Sequence, residues 1–222
     1  MNALWYFTRG TGAVSLVLLT LSLVLGVVDV RRWSTWHVPR FVIDGLHRTV
    51  SLLVVLFVAV HVVTAALDTF APVTLIDAVV PFGSAYRPVW LGLGAVAFDL
   101  LLALVVTSLL RARLGARAWR NVHWLAYACW PVAFLHGLGT GSDIRPGWML
   151  WLSIACAVAV AVAVIARAAE RFPAAATAAA GVTVAGLALA VWLPSGPLAK
   201  GWARAAGTPK SILAPVPKGG TR

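Results

Sequence analysis

The stretch 44-DGLHRTVSLLVVLFVAVHVVTAAL-67 decides the fold of this chain. It is apolar over most of its length, and Asp44 and Arg48 are its only formally charged residues. A bilayer core about 30 Å thick requires about 20 apolar residues for a helix to cross it. The stretch therefore predicts a membrane-spanning helix, and Asp44 is placed to cap its N-terminus.

Other apolar stretches accompany this one, at residues 13–30, 89–110, 119–138, 148–166 and 174–193. Hydrophobic residues make up 61% of the chain and charged residues only 11%, whereas about 25% of residues are charged in soluble domains. We therefore expect an all-α fold over residues 1–194, a polytopic membrane helix bundle of about six transmembrane helices with no soluble domain. Residues 195–222 form a basic, proline-containing C-terminal tail, which we expect to be irregular.

The formal net charge is +11, and the basic residues lie mostly between the apolar stretches. This distribution is typical of topology signals and lipid contacts, so we expect membrane lipid as a partner and no nucleic acid. Arginines favour the loops after the first, third and fifth stretches once distant charges in the tail are discounted. We therefore expect a multi-pass protein of a bacterial plasma membrane with both termini extracytoplasmic.

Four histidines lie within two of the stretches, and an ionisable group inside a membrane indicates a functional site by default. His47 and His61 are 14 residues apart, which places them on one helix face about 21 Å from each other. His123 and His136 are 13 apart, and an ideal helix would separate them by about 140° around its axis. Because Pro131 lies between them, a kink or a local change of winding is expected to bring them to one side.

The two histidine-bearing helices are separated by one other helix, so they run parallel. His47 is then level with His123, and His61 is level with His136. Two facing imidazoles at each depth are suited to clamp one flat haem through its iron. The alternative for each histidine is a hydrogen bond within the bundle, whereas the separation of about 20 Å excludes one zinc site that contains all four. His37, in a polar loop, is interpreted as solvated.

The motifs His47-x13-His61 and His123-x12-His136 resemble the ferric reductase-like transmembrane domain over roughly residues 31–167. That family includes ferric reductases, NADPH oxidases and the haem-binding membrane subunit of the methionine sulfoxide reductase system. The resemblance implies two stacked b-type haems, although one is an alternative. By this match, His47 and His123 ligate the iron of the haem nearer the cytoplasm, and His61 and His136 that of the outer haem.

The chain departs from relatives that continue into flavin and nucleotide domains. Its glycine cluster at 137–141 follows a predicted helix rather than a strand, so we expect no NAD(P) or flavin site. The sequence therefore favours an oxidoreductase membrane subunit without catalytic residues of its own. Electrons would come from a quinol or a separate flavoprotein and leave to an extracytoplasmic acceptor protein. The alternatives are a single-haem, quinol-fed subunit of a periplasmic reductase and a non-redox transporter or assembly protein.

Weaker candidates surround these four histidines. Arg48 and Arg120 lie at the same end of the bundle as His47 and His123, where haem propionates would need cationic partners. The positive-inside rule explains these two arginines equally well. Asp99 is interpreted as hydrogen-bonded to a neighbouring helix, with a proton relay as the alternative. Candidates to contact propionates or the acceptor at the outer end are Tyr86, Arg87, Ser142 and Arg145. An aromatic electron path through Trp124 or Trp130 has no support from the sequence.

Overall fold

The computed structural model describes residues 3–30, 39–141, 147–169 and 172–213. Within these ranges the regular structure is helical and contains no strand. One short 3-10 helix occurs at Ile76–Ala78. The helices are α1 (Ala3–Val30), α2 (Arg40–Leu67), α3 (Pro88–Leu109), α4 (Arg111–His123), α5 (Ala126–Thr140), α6 (Trp148–Ala168), α7 (Phe172–Ser195), α8 (Trp202–Ala205) and α9 (Lys210–Leu213). His37, Ser142 and Arg145 lie outside the described residues.

Long apolar helices confirm the polytopic membrane fold. Within the described part of the chain, α1, α2, α3, α6 and α7 are long and apolar enough to cross a bilayer. The predicted start of α2 is wrong, because the helix begins at Arg40 and Asp44 lies inside it. Pro39 precedes it with φ −65° and ψ 152°, and no side chain caps this end. The rigid proline, which has no N–H to satisfy, therefore stands where a capping carboxylate was expected.

The predicted fourth span is divided into α4 and α5, each too short to count as a span by itself. At the junction, amides bond to carbonyls three residues earlier: Leu125 to Val122, Tyr127 to Trp124 and Ala128 to Leu125, at 2.9, 3.1 and 3.0 Å. Such 3-10 bonding turns the chain by about 120° per residue instead of about 100°. Only Trp124 and Leu125 lie between the two α-helices, so this bonding supplies part of the rotation that the two histidines require. The change of winding thus occurs before Pro131, which lies inside α5.

The helices pack in pairs. α1 packs along α2 and also contacts α5 and α6, while α3 packs on α5 and α7 lies against α6. A buried cluster joins α1, α5 and α6, and its members are Leu16, Trp130, Phe134, Leu138, Cys156 and Val160. Trp130 stacks on Phe134 and donates its indole N–H to Thr20 Oγ1 at 2.9 Å. These contacts make Trp130 a packing residue of the bundle.

The C-terminal segment folds back onto the bundle through Arg87. This arginine has a left-handed φ of 44° and is only 4% exposed. Its Nε donates to Thr208 Oγ1 at 3.0 Å, and its Nη1 donates to the carbonyls of Gly139 and Thr140 at 3.1 and 2.8 Å. The Trp202 indole donates to the same Gly139 carbonyl at 3.0 Å. Up to residue 213 the tail is therefore less irregular than expected, and it helps a buried cation cap the C-terminus of α5.

Loss of the Arg87 side chain is expected to destabilise the bundle. Arg87→Ala removes the donor to the Thr140 carbonyl and to the Thr208 hydroxyl, and each buried unsatisfied group costs about 1–3 kcal/mol. The Gly139 carbonyl loses one of its two donors and keeps the Trp202 indole. Thermal unfolding of the detergent-solubilised protein, followed by tryptophan fluorescence, should therefore shift to lower temperature. The control is Arg204→Ala, which removes an exposed arginine of the same segment. Equal unfolding temperatures for the two variants would show that the cap has no energetic role.

Candidate functional site

The structure brings the four membrane histidines together in the two pairs that their depths predict. The rings of His47 and His123 have centroids 6.4 Å apart and planes inclined at 77°. The rings of His61 and His136 also have centroids 6.4 Å apart, with planes inclined at 82°. Because each pair joins α2 to the α4–α5 segment at a different depth, this segment runs parallel to α2 from one end to the other. Two similar, nearly perpendicular imidazole pairs thus lie at two levels of the bundle.

Three of the four imidazoles are held by backbone carbonyls of neighbouring helices. Nδ1 lies 3.0 Å from the Ser22 carbonyl in His47, 2.8 Å from the Thr8 carbonyl in His61, and 2.8 Å from the Trp90 carbonyl in His136. A carbonyl oxygen only accepts, so each of these Nδ1 atoms carries the proton and donates. The Nε2 atom of each ring is then left with a free lone pair, the state in which histidine ligates a metal.

Glycines on the neighbouring helices make room for these rings. Gly12, Gly26 and Gly94 each lie four residues after an accepting carbonyl, which is one helical turn along the axis. A Cβ at Gly94 would lie 2.5 Å from His136 Nδ1, one at Gly12 2.9 Å from His61 Cε1, and one at Gly26 3.4 Å from His47 Cε1. Any larger residue at Gly94 or Gly12 would therefore displace the imidazole from its carbonyl.

These carbonyl–glycine sites were not predicted from the sequence. A signal was present on α1, because Gly12 and Gly26 have the same 14-residue spacing as His47 and His61. The residues whose carbonyls accept, Thr8 and Ser22, repeat that spacing. Two equal spacings on helices that pack side by side indicate two equivalent contacts.

His123 is held differently from the other three. Its Nδ1 is buried and has no hydrogen-bond partner in the described residues. Its ring instead stacks on Trp119, with centroids 4.8 Å apart and planes inclined at 27°. Arg111 covers Trp119, with Cζ 4.2 Å from the ring centroid. Aromatic stacking thus replaces the carbonyl anchor at this position.

A cavity of about 280 Å³ reaches the space between His61 and His136. Its walls are mainly apolar, and small residues leave room within the bundle, among them Ser15, Ala95, Ala97, Cys129 and Ala133. Arg9, Asp68, Asp77 and Tyr86 add polar groups to its lining. The cavity can therefore receive a large apolar group that carries polar or anionic substituents at one edge.

The weaker sequence candidates fall in different places. Arg48 and Arg120 are exposed. Arg48 directly follows His47 in the sequence, and Arg120 lies three residues before His123. Tyr86 lines the cavity, whereas Arg87 is engaged with carbonyls and with Thr208. Asp99 is half-buried on α3 and is not among the residues that line the cavity.

Arg9 was not among the sequence candidates for this site. It lines the cavity and lies over Trp5, with Cζ 4.0 Å from the ring centroid. Burial lowers the pKa of the neighbouring Arg87 guanidinium, and Tyr86 opposes this shift. An arginine keeps its charge under ordinary conditions, so Arg9 brings a cation to a lining that also contains the carboxyl groups of Asp68 and Asp77.

In the described part of the chain, His, Cys, Asp and Glu side chains do not gather in threes. The site therefore offers two nitrogens at each level instead of a closed polyhedron of ligands. Each pair has the form needed for a group that is ligated from two sides.

A comparison with protein families finds a match over residues 10–134 to the ferric reductase like transmembrane component. The matched region includes His47, His61 and His123 and ends two residues before His136. No curated protein and no solved structure matches the chain.

Proposed function

The chain belongs to the family of ferric reductase-like transmembrane components, and from this membership we propose that it carries electrons across a membrane through two b-type haems. The family points to an oxidoreductase-related membrane component. The observation that supports the two-haem proposal is the pair of equal distances, 6.4 Å, between facing imidazole centroids.

These distances fit a metal held between two imidazoles. A metal–imidazole bond is about 2.0–2.1 Å long, and the ligating nitrogen lies about 1.1 Å from the ring centroid. Two imidazoles that ligate one metal from opposite sides therefore have centroids about 6.3 Å apart. Both observed separations, 6.4 Å, are close to this value. We assign His47 and His123 to one haem iron and His61 and His136 to the other.

The chain's own groups orient these ligands. In His47, His61 and His136 the Nδ1–H···O=C bond selects the tautomer with a free Nε2 and makes that nitrogen a stronger donor. Haem supplies a reversible one-electron centre at each pair. The two levels are about 20 Å apart along the helices, so the proposed centres divide the apolar barrier into shorter steps.

Arginines lie near both levels, where the anionic edges of the proposed groups would need positive charge. Arg9 lines the cavity at the His61–His136 level, and the exposed Arg48 and Arg120 lie near the other level. Arginine binds carboxylates through two parallel N–H donors, which suits a haem propionate. Arg9 is the best-placed of the three, because it already forms part of the cavity wall.

The direction of transfer follows from the arginine distribution. The exposed basic residues of α4 lie at the His47–His123 end, which the positive-inside rule assigns to the cytoplasmic side. We propose that a quinol or a separate flavoprotein delivers electrons there, and that an extracytoplasmic protein accepts them at the His61–His136 end. Both termini are then extracytoplasmic, in a bacterial plasma membrane.

Spectroscopy of the purified, haem-supplied protein tests this proposal. Dithionite reduction should produce b-type α and Soret bands, with about two haems per chain. The oxidised protein should give strongly anisotropic low-spin EPR signals, because imidazole planes at 77° and 82° leave two iron d orbitals nearly equal in energy. A correctly folded preparation without these bands would refute the electron-transfer function.

A further inference from the structure

We infer that His123 is the exchangeable ligand of the four, so that iron at the His47–His123 level binds a small neutral molecule such as carbon monoxide while iron at the His61–His136 level stays closed. The inference rests on the proposed haem function. It arises from a difference between the two pairs in the way the chain holds its own histidines.

The first observation is the unequal anchoring of the rings. Both members of the His61–His136 pair donate Nδ1–H to a carbonyl at 2.8 Å, and His47 does so at 3.0 Å. His123 Nδ1 is buried and has no such partner among the residues that the structure describes. A buried N–H without an acceptor is unfavourable, so the ligating orientation of this ring is the least favoured of the four.

The second observation concerns what holds His123 in place. Trp119 stacks on its ring, and Arg111 lies over the indole. A stacking contact restrains the plane of a ring but supplies no directional bond to either nitrogen. His123 also ends α4, directly before the 3-10 junction with α5. The imidazole can therefore withdraw without breaking an Nδ1 hydrogen bond.

The proposed exchange is a simple ligand substitution. The bond between ferrous iron and His123 Nε2 breaks, and a bond from iron to the carbon of carbon monoxide forms. No electron is transferred, and the imidazole proton stays on Nδ1. His47 remains the ligand on the opposite side.

The test is carbon monoxide titration of the dithionite-reduced, haem-loaded full chain, followed at the Soret band and related to haem content. The unaltered protein should bind about one carbon monoxide per two haems. Trp119→Ala removes the stacking partner and should accelerate uptake, whereas Trp124→Ala removes an exposed tryptophan that pairs with Tyr127 and should not. Haem content should be the same in both variants, which separates this effect from general loss of structure.

Two retained haems with no uptake in the unaltered chain and in Trp119→Ala would overturn the inference, as would uptake at both irons. Absence of haem would instead refute the proposed function.

Discussion

Purified His61→Ala and His136→Ala proteins are each expected to contain about one haem per chain where the unaltered protein contains about two. Each variant removes one nitrogen from the outer pair and leaves the His47–His123 pair untouched. The two substitutions should have the same effect, because either one leaves a single ligand in a cavity built for two. Haem is measured by the pyridine haemochrome method against protein concentration.

The control for this experiment is His37→Ala, which removes the histidine that belongs to neither pair. It should retain both haems. A full haem content in both outer variants would contradict the ligand assignment, and a complete loss in either would show that the two levels do not bind independently.

Gly94→Ala should empty the outer site as fully as removal of His136 itself. The new Cβ would lie 2.5 Å from His136 Nδ1, which is occupied by the hydrogen bond to Trp90. Since the atom that intrudes is attached to a helix backbone, the imidazole has to leave its position. Gly12→Ala, with a Cβ 2.9 Å from His61 Cε1, should cause a smaller loss, and Gly26→Ala, at 3.4 Å, the smallest.

Haem content and thermal stability of the three glycine variants provide the measurement. Gly10→Ala is the matched control, because it lies on α1 and a Cβ there has no neighbour within 4 Å. Alanine is also a better helix former than glycine, so this control should be fully loaded and no less stable. Equal loading of the Gly94 and Gly10 variants would show that close approach to the histidine is unimportant.

The pairing of the histidines was predictable because spacing along a helix fixes both depth and direction. His47 and His61 required only the ideal helical period. For His123 and His136 the period alone predicted opposite directions, and three 3-10 bonds between residues 122 and 128 contribute to the rotation that brings them to one side. Whether an amide bonds to the third residue back, as in a 3-10 helix, or to the fourth, as in an α-helix, depends on packing. No residue type in this stretch indicates which of the two occurs.

The contacts that hold the rings were not predictable in the same way. The anchors are carbonyl oxygens of Thr8, Ser22 and Trp90, and a backbone atom has no residue type to recognise. The contact between Arg87 and Thr208 joins positions 121 residues apart, and nothing near either residue indicates the other. Asp44 shows the opposite error, since a suitable capping residue lay inside the helix that it was expected to start.

The repeat on α1 limits how this helix can change length. α1 contains no histidine, yet its two carbonyl–glycine positions must meet His61 and His47 at the same time. One residue inserted between Gly12 and Gly26 would turn one position by about 100° and move it by about 1.5 Å relative to the other. α1 therefore sets the spacing of the contacts along α2, and an insertion or deletion inside those 14 residues would detach one level of the site while the other remained in register.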